Sequence, residues 1–382
     1  MKPKCINYFW PELYRGIDVL RVASLLIICV MLFRKKKLPS PPSILLGLLE
    51  SWICFVTLIT HGDIVETCSL AVSVMAIVLL VDMYSDQMEQ VIPSLMLNYE
   101  WMVYANLLTV LENPEYGCVL DSEYAWIGIY FFGPDNWFMY LLIPAVCVAL
   151  LYLRLRLSEN HLLRKTGSIL RVGCLMVACY ASVLICWPAT AVVSMTVLAI
   201  VLLVSLIPRL CCCVSFPVIL LGSVTANLAI VVFRVMERIP FITYFIQDVL
   251  KKNVRLTGRT EVWDFIQGQI GNHLWLGIGT PKGGYIIEGQ YLPMDHMHNQ
   301  ILDLLAQGGI PALMLFTALL LVVGVKLTVC RNTTAAKIMV AGMAGLLVMC
   351  IPEVCRHSSI FLLFPLAYYV PRIESVCTKS EA

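Results

Sequence analysis

Apolar segments long enough to cross a bilayer recur along almost the whole chain, and that recurrence rules out most folds at once. A membrane helix needs about 20 mainly apolar residues. Such stretches lie near 16–33, 43–60, 67–84, 91–111, 137–153, 167–186, 190–207, 211–233, 310–328, 336–351 and 359–370. Strands would cross in about ten residues, so these lengths argue for helices. The expectation is an all-α integral membrane protein with about 11 (11–12) transmembrane helices. Charge supports it: 14% of the residues are charged, against about 25% in a soluble domain. The net charge of +2 gives no reason to expect a nucleic-acid partner.

The 16 cysteines do not read as a disulfide framework. Most lie inside apolar runs, Cys29, Cys54, Cys147, Cys174, Cys179 and Cys350 among them, where cysteine behaves as a small buried hydrophobe. Cys211, Cys212 and Cys213 are adjacent and lack the spacing of zinc ligands. The first apolar run is followed by Arg34–Lys37 and not by small residues, so it does not read as a cleaved signal.

Basic residues cluster in alternate short loops. Arg34–Lys37, then Arg154, Arg156, Arg164 and Lys165, then Arg209, then Lys326, Arg331 and Lys337 fall on one side, the cytoplasmic one by the positive-inside rule. The intervening loops 61–66, 112–136 and 187–189 contain no Lys or Arg. Eleven spans then place the N-terminus outside, against the preference of Lys2, Lys4 and Arg15. Residues 353–358 form a short polar turn, and Arg356 there departs from the charge pattern. Glu50 sits mid-span, where a carboxylate usually faces the bundle interior.

One long polar interruption, residues 234–309, falls on the outside by this count. It divides the chain into an N-terminal bundle of about eight spans (1–233), an extracytoplasmic loop with short helices (234–309), and about three C-terminal spans with a short cytoplasmic tail (310–382). Within the loop, Thr260 reads as a helix N-cap, followed by an apolar stripe of Val262, Trp263, Phe265, Ile266 and Ile270. The glycine-rich stretch 273–284 lacks the Gly-Lys-Ser/Thr ending of a phosphate loop and reads as a closely packed turn. A second helix runs from His298 to Gln307 and stops at Gly308–Gly309. His296, His298 and Asp295 could offer three metal ligands, but the reading adopted is no metal and no cofactor. Arg234, Arg238, Arg255 and Arg259, with Lys251 and Lys252, supply guanidinium and ammonium groups suited to a diphosphate. The loop has no Asp-x-Asp pair, which agrees with a site that holds a diphosphate without a divalent ion.

Four features together resemble a known family. They are Gly258, Arg259 and Trp263 in a GR-x-x-x-W pattern, LGIGT at 276–280, HMHN at 296–299, and Gly309 before a new span. This pattern resembles the O-antigen polymerase and O-antigen ligase superfamily. His298, Asn299 and Gly309 match the spacing of the ligases. The further glycines seen in ligases are replaced by Pro311 and Ala312, so the superfamily is better supported than the ligase subgroup. Residues 106–136 also resemble capsular or exopolysaccharide repeat-unit polymerases.

The resemblance implies an inverting, metal-independent membrane glycosyltransferase in the bacterial inner membrane, with its active site on the extracytoplasmic face. Donor and acceptor would be oligosaccharide repeat units on undecaprenyl diphosphate, and undecaprenyl diphosphate would leave. A flippase and a chain-length regulator would be its partners. The family's loop arginine corresponds to Arg259 and its histidine to His298, with Arg234 or Arg238 as a second diphosphate arginine. Asn299 and Trp263 would support them. The near alternative is ligase-type transfer of a finished glycan to a lipid or protein acceptor. The alternative of another class is a lipid-linked glycan flippase or transporter, which charged residues along several spans or internal symmetry would favour.

Overall fold

The computed structural model describes residues 2–120, 127–158, 162–210, 213–251, 253, 258–286 and 294–379. Cys211, Cys212, Lys252 and Arg255 lie outside the described residues. The helices are, in order, α1 (Cys5–Phe9), α2 (Pro11–Arg34), α3 (Pro41–Ile59), α4 (Ile64–Met83), α5 (Met88–Glu112), α6 (Phe138–Leu157), α7 (Leu162–Cys186), α8 (Ala189–Ser205), α9 (Phe216–Asn227), α10 (Val235–Arg238), α11 (Pro240–Tyr244), α12 (Arg259–His273), α13 (Gln300–Val329), α14 (Thr334–Met349), α15 (Leu363–Tyr368) and α16 (Val370–Lys379). The only strands among the described residues are two-residue pieces, Val119–Leu120 and Gly128–Ile129, paired antiparallel.

The chain is a helical, multi-pass membrane protein, but the expected count of about eleven spans does not follow from the helices. Among the described residues, six are long and apolar enough to cross a bilayer: α2, α3, α4, α7, α13 and Asp135–Leu157, which contains α6. A seventh is possible by length if Ile360–Tyr368 and Val370–Thr378, bent by 63°, act as one span. The other expected spans are helical for physical reasons that do not require crossing. Ala189–Ser205, Phe216–Val232 and Thr334–Met349 are shorter apolar helices of 10–17 residues. At about 1.5 Å per residue they fall short of a hydrocarbon core of about 30 Å. Helix α5 has the length but carries Glu89, Glu100 and Glu112. Its Glu100 accepts from Arg171 of α7 at 2.8 and 3.0 Å, so the charge is neutralised between helices.

Helix α6 is the centre of the bundle. Of its apolar window, 83% is buried, whereas the same measure for α2 is 11%. Helices α5, α7, α8 and α14 pack around α6, and α3 packs against α4 and α13. Val19, Leu20, Leu26, Ile27 and Phe33 of α2 are exposed, as expected of side chains that meet lipid.

Helix α13 is bent at Gly309, whose φ of 64° and ψ of −160° are not helical. The sequence placed a stop here, and the helical path resumes directly after it. The bend is held from three sides. Trp52 Nε1 donates to Gly308 O at 2.7 Å, Ile310 N to Leu274 O at 2.9 Å, and Ile278 N to Ala306 O at 2.6 Å. Gly277, at φ 74°, lies so close that a Cβ there would come within 2.6 Å of Ala306 O. The glycine-rich turn therefore serves as a backbone seat for the bend, which fixes where the N-terminal part of α13 begins.

Candidate active site

Helix α12 opens with Arg259, directly after Gly258 at φ 87°. Gly258, and not Thr260, is the N-cap; Thr260 lies inside the helix. The apolar stripe read from the sequence is buried as Val262, Trp263, Ile266 and Ile270, with Phe265 partly buried. These side chains form a second core with Val231, Met236, Met297, Leu302 and Ala306. Trp263 is fully buried, and its Nε1 donates to Met297 O at 3.1 Å and His298 O at 3.2 Å. One side chain thus fixes the histidine loop to the helix that carries Arg259.

The histidine loop is fixed from the other side by Asn299. It is the N-cap of α13, so His298 stands just before the helix, not at its first position as expected. Asn299 Oδ1 accepts from Leu302 N at 3.1 Å, and its Nδ2 donates to Ile351 O at 2.9 Å. Gln300 N donates to Cys350 O at 3.0 Å, and Cys355 N donates to Gln300 Oε1 at 2.6 Å. The turn between α14 and the last helices is stitched to the histidine loop by these bonds. His298 itself is held at a positive φ of 48°, a conformation uncommon for a residue other than glycine.

The stitching delivers Glu353 to the middle of the site. Its side chain is 2% exposed. Glu353 Oε1 pairs with Arg259 Nη2 and lies 3.3 Å from His298 Nδ1; Oε2 lies 3.2 Å from His296 Nε2. Asn136 Nδ2 approaches Oε1 at 3.5 Å. The two imidazole centroids are 4.1 Å apart. On the far side of His296, Arg356 Nη1 lies 3.4 Å from Nδ1, while its Nη2 donates to Glu66 Oε1 at 2.7 Å.

These partners assign the tautomers. Arg356 can only donate, so His296 Nδ1 accepts and Nε2 carries the proton that Glu353 receives. An ionised Glu353 can only accept, so His298 Nδ1 carries a proton, which in the neutral imidazole leaves the lone pair on Nε2. Burial pushes the Glu353 carboxyl up, but the positive poles of His298 and Arg259 and the hydrogen bonds from both imidazoles outweigh it. The carboxyl is held well below its usual range. Burial and the adjacent His298 push His296 down to about 4, against the pull of Glu353.

Of the residues the sequence singled out, Arg259, His298, His296, Asn299 and Trp263 come together. Arg234 packs on the same helix: its Nη2 donates to Thr260 O at 3.1 Å, pairs with Asp264, and its guanidinium lies 5.4 Å from the Trp263 ring centroid. Arg238, at the end of α10, is exposed. Two buried guanidinium nitrogens of this cluster, Arg259 Nε and Arg234 Nη1, have no hydrogen-bond partner among the described residues. Sequence reasoning missed Glu353 and gave Arg356 only as a charge exception. The available signal was a buried-range carboxylate in a polar turn between two apolar segments.

His296, His298 and Glu353 have ligand atoms within 4.8 Å of one another, a grouping that could hold a metal ion. Glu353, not Asp295, completes it; Asp295 Oδ2 faces Arg356 at 3.9 Å. The same donors are contacted by Arg259 and Arg356. Two fixed guanidinium charges repel a cation and suit an anion.

Residues 137–317 match a family model described as O-antigen ligase. This match, over a little less than half of the chain, supports the resemblance to the O-antigen polymerase and ligase superfamily. The matched segment contains Arg234, Arg259, Trp263, His298 and Asn299 and ends before Glu353. A comparison with curated proteins found no match. Members of the matched family are polymerase- or ligase-type glycosyltransferases; for this chain the reaction, donor and acceptor are argued from the site.

Proposed function

We propose that this protein polymerises oligosaccharide repeat units carried on undecaprenyl diphosphate, for a surface polysaccharide such as O-antigen, capsule or exopolysaccharide. The observation that carries the reading is the convergence of Arg259 and His298 on one buried carboxylate, with Arg259 Nε and His298 Nε2 meeting no partner among the described residues. A guanidinium with an unused donor suits phosphate oxygens. An imidazole lone pair beside it suits a hydroxyl that must lose a proton. Residues 234–309 act as the extracytoplasmic catalytic loop between the bundle 1–233 and the C-terminal part 310–382, at the outer face of the bacterial inner membrane.

The acceptor hydroxyl attacks the anomeric carbon of the donor chain. Its proton passes to His298 Nε2 as the carbon–oxygen bond to the diphosphate breaks, with inversion. Undecaprenyl diphosphate leaves with the bonding electrons, and Arg259, with Arg234 behind it, offsets the charge that grows on its oxygens. No step requires a divalent ion. A flippase delivers the substrate, and a chain-length regulator limits the product.

A second reading has one observation in its favour, the ligase description of the matching family. A ligase would use the same residues and transfer the finished glycan to a lipid or protein acceptor. The test is to incubate purified protein with one lipid-linked repeat unit in a chelating buffer. A ladder of products supports polymerisation. Transfer only after a separate acceptor is added would favour the ligase, and no transfer with either would overturn both.

A further inference from the structure

We propose that Glu353 is the positioning residue of the transfer: it fixes His298 with Nε2 free, and it holds Arg259 until the donor diphosphate takes that guanidinium over. The inference rests on the proposed glycosyl transfer and adds to it a residue that lies outside the segment matched by the family.

The geometry supplies three arguments. Glu353 is the common partner of Arg259, His296 and His298, although Arg259 is 94 residues away and the histidines 57 and 55. Its 2% exposure means that water does not compete for these bonds. The turn that carries it is anchored by main-chain and side-chain bonds to Asn299 and Gln300, next to His298. A carboxylate so placed holds an imidazole in one tautomer and one orientation, as second partners of catalytic histidines do.

The Arg259 contact gives the carboxylate a second task. Without donor, Glu353 neutralises Arg259. A diphosphate carries more negative charge than one carboxylate and offers several oxygens, so it competes for the same guanidinium. As Arg259 turns to the diphosphate, Glu353 is left with the two imidazoles. Its charge then stabilises the imidazolium that forms when His298 accepts the hydroxyl proton.

The titratable and charged groups around His298 are His296 on its own loop, Glu353 and Arg356 on the facing turn, Arg259 on α12 and Asp303 on α13. Removing the Glu353 charge leaves Asp303 as the remaining carboxylate among them, against two guanidiniums. The imidazolium is then disfavoured, and the acid limb of the rate profile moves to lower pH.

The test uses the purified full chain as wild type, Glu353→Gln, Glu353→Asp, His298→Ala and the Glu353→Gln/His298→Ala double variant. Turnover of the lipid-linked repeat unit is measured against pH, and binding of inorganic diphosphate is measured on the same samples. Glu353→Gln is expected to lose about 10²-fold or more in turnover. Its acid limb should move down in pH, and it should bind diphosphate at least as tightly as wild type because a competitor for Arg259 is gone. Glu353→Asp should recover part of the rate. The double variant should be no slower than His298→Ala alone, since residues that act as a unit are not additive. Wild-type turnover in Glu353→Gln would overturn the proposal, and so would parallel losses of turnover and diphosphate binding with an unmoved pH profile. If His298→Ala also turns over normally, the glycosyl-transfer reading itself fails, and this inference with it.

Discussion

Arg259→Lys separates the shape of the guanidinium from its charge. Arg259 uses Nη2 on Glu353 and keeps a buried Nε without a partner among the described residues. A lysine ammonium keeps the positive charge but presents it as a point charge, without the planar fork that meets two phosphate oxygens at once. Loss of one donor aimed at a developing negative charge costs about 2.7–4 kcal/mol, or about 10²–10³-fold in rate. Because the positive charge is retained, the lower end applies, about 10²-fold. Alanine is a poorer probe. It would leave Glu353, 2% exposed, without its permanently charged partner, and breaking a buried pair costs about 3–5 kcal/mol of stability. The assay is the initial rate of ladder formation by Arg259→Lys and wild-type protein in the same detergent, with thermal midpoints as a control on folding. A rate within about threefold of wild type, at an unchanged midpoint, would refute the diphosphate role.

His298→Ala should lower turnover by about 10²–10⁴-fold while leaving diphosphate binding within a few-fold, as read by rate and by binding isotherm. Arg234→Ala should weaken both folding and turnover, because the guanidinium packs against Trp263 and Thr260, whereas Arg238→Ala should leave thermal midpoint and ladder length near wild type. His296 has its folded value depressed to about 4, from about 6.5 unfolded. The unfolded chain therefore binds the proton first, and stability is lost as pH falls from about 6.5 to about 4, by about 3 kcal/mol in all. His296→Gln should flatten that part of the curve of midpoint against pH. Gly309→Ala places a side chain at φ 64° and ψ −160° and against Trp275 O, so it should cost at least about 1–3 kcal/mol and lower the midpoint measurably.

The bundle was legible in the sequence because apolar runs report their own burial in lipid or protein. The number of crossings was not. The runs at 189–205 and 334–349 form helices of 17 and 16 residues, and α14 is almost wholly covered by α6, α8 and α9. An apolar run states that a helix avoids water, and it is equally satisfied by a bundle interior and by lipid. Length decides between them only when the helix ends are known, and ends are set by caps and bends. The last apolar run shows this. Residues 359–370 read as one short span, yet the helices there are bent by 63° between Tyr368 and Val370.

The site was half legible, and the division has a physical origin. Arg259, Trp263, His298 and Asn299 lie on segments whose local pattern gives them away: a glycine before a helix, an apolar stripe, and a cap before α13. Glu353 has no such pattern. It reaches the histidines because Asn299 Nδ2 meets Ile351 O and Gln300 Oε1 meets Cys355 N, contacts that join positions more than 50 residues apart. Those contacts exist because α13 bends at Gly309 and returns its N-terminal part to the end of α14. The carboxylate that organises the charges is therefore a product of tertiary packing. The same reasoning separates the arginines: Arg234 and Arg238 are four residues apart on one basic segment, and only packing against Trp263 brings the first onto the helix of Arg259. A cluster assembled this way needs its scaffold as much as its ligands, so variants of Asn299 or Gly309 should impair transfer without touching substrate.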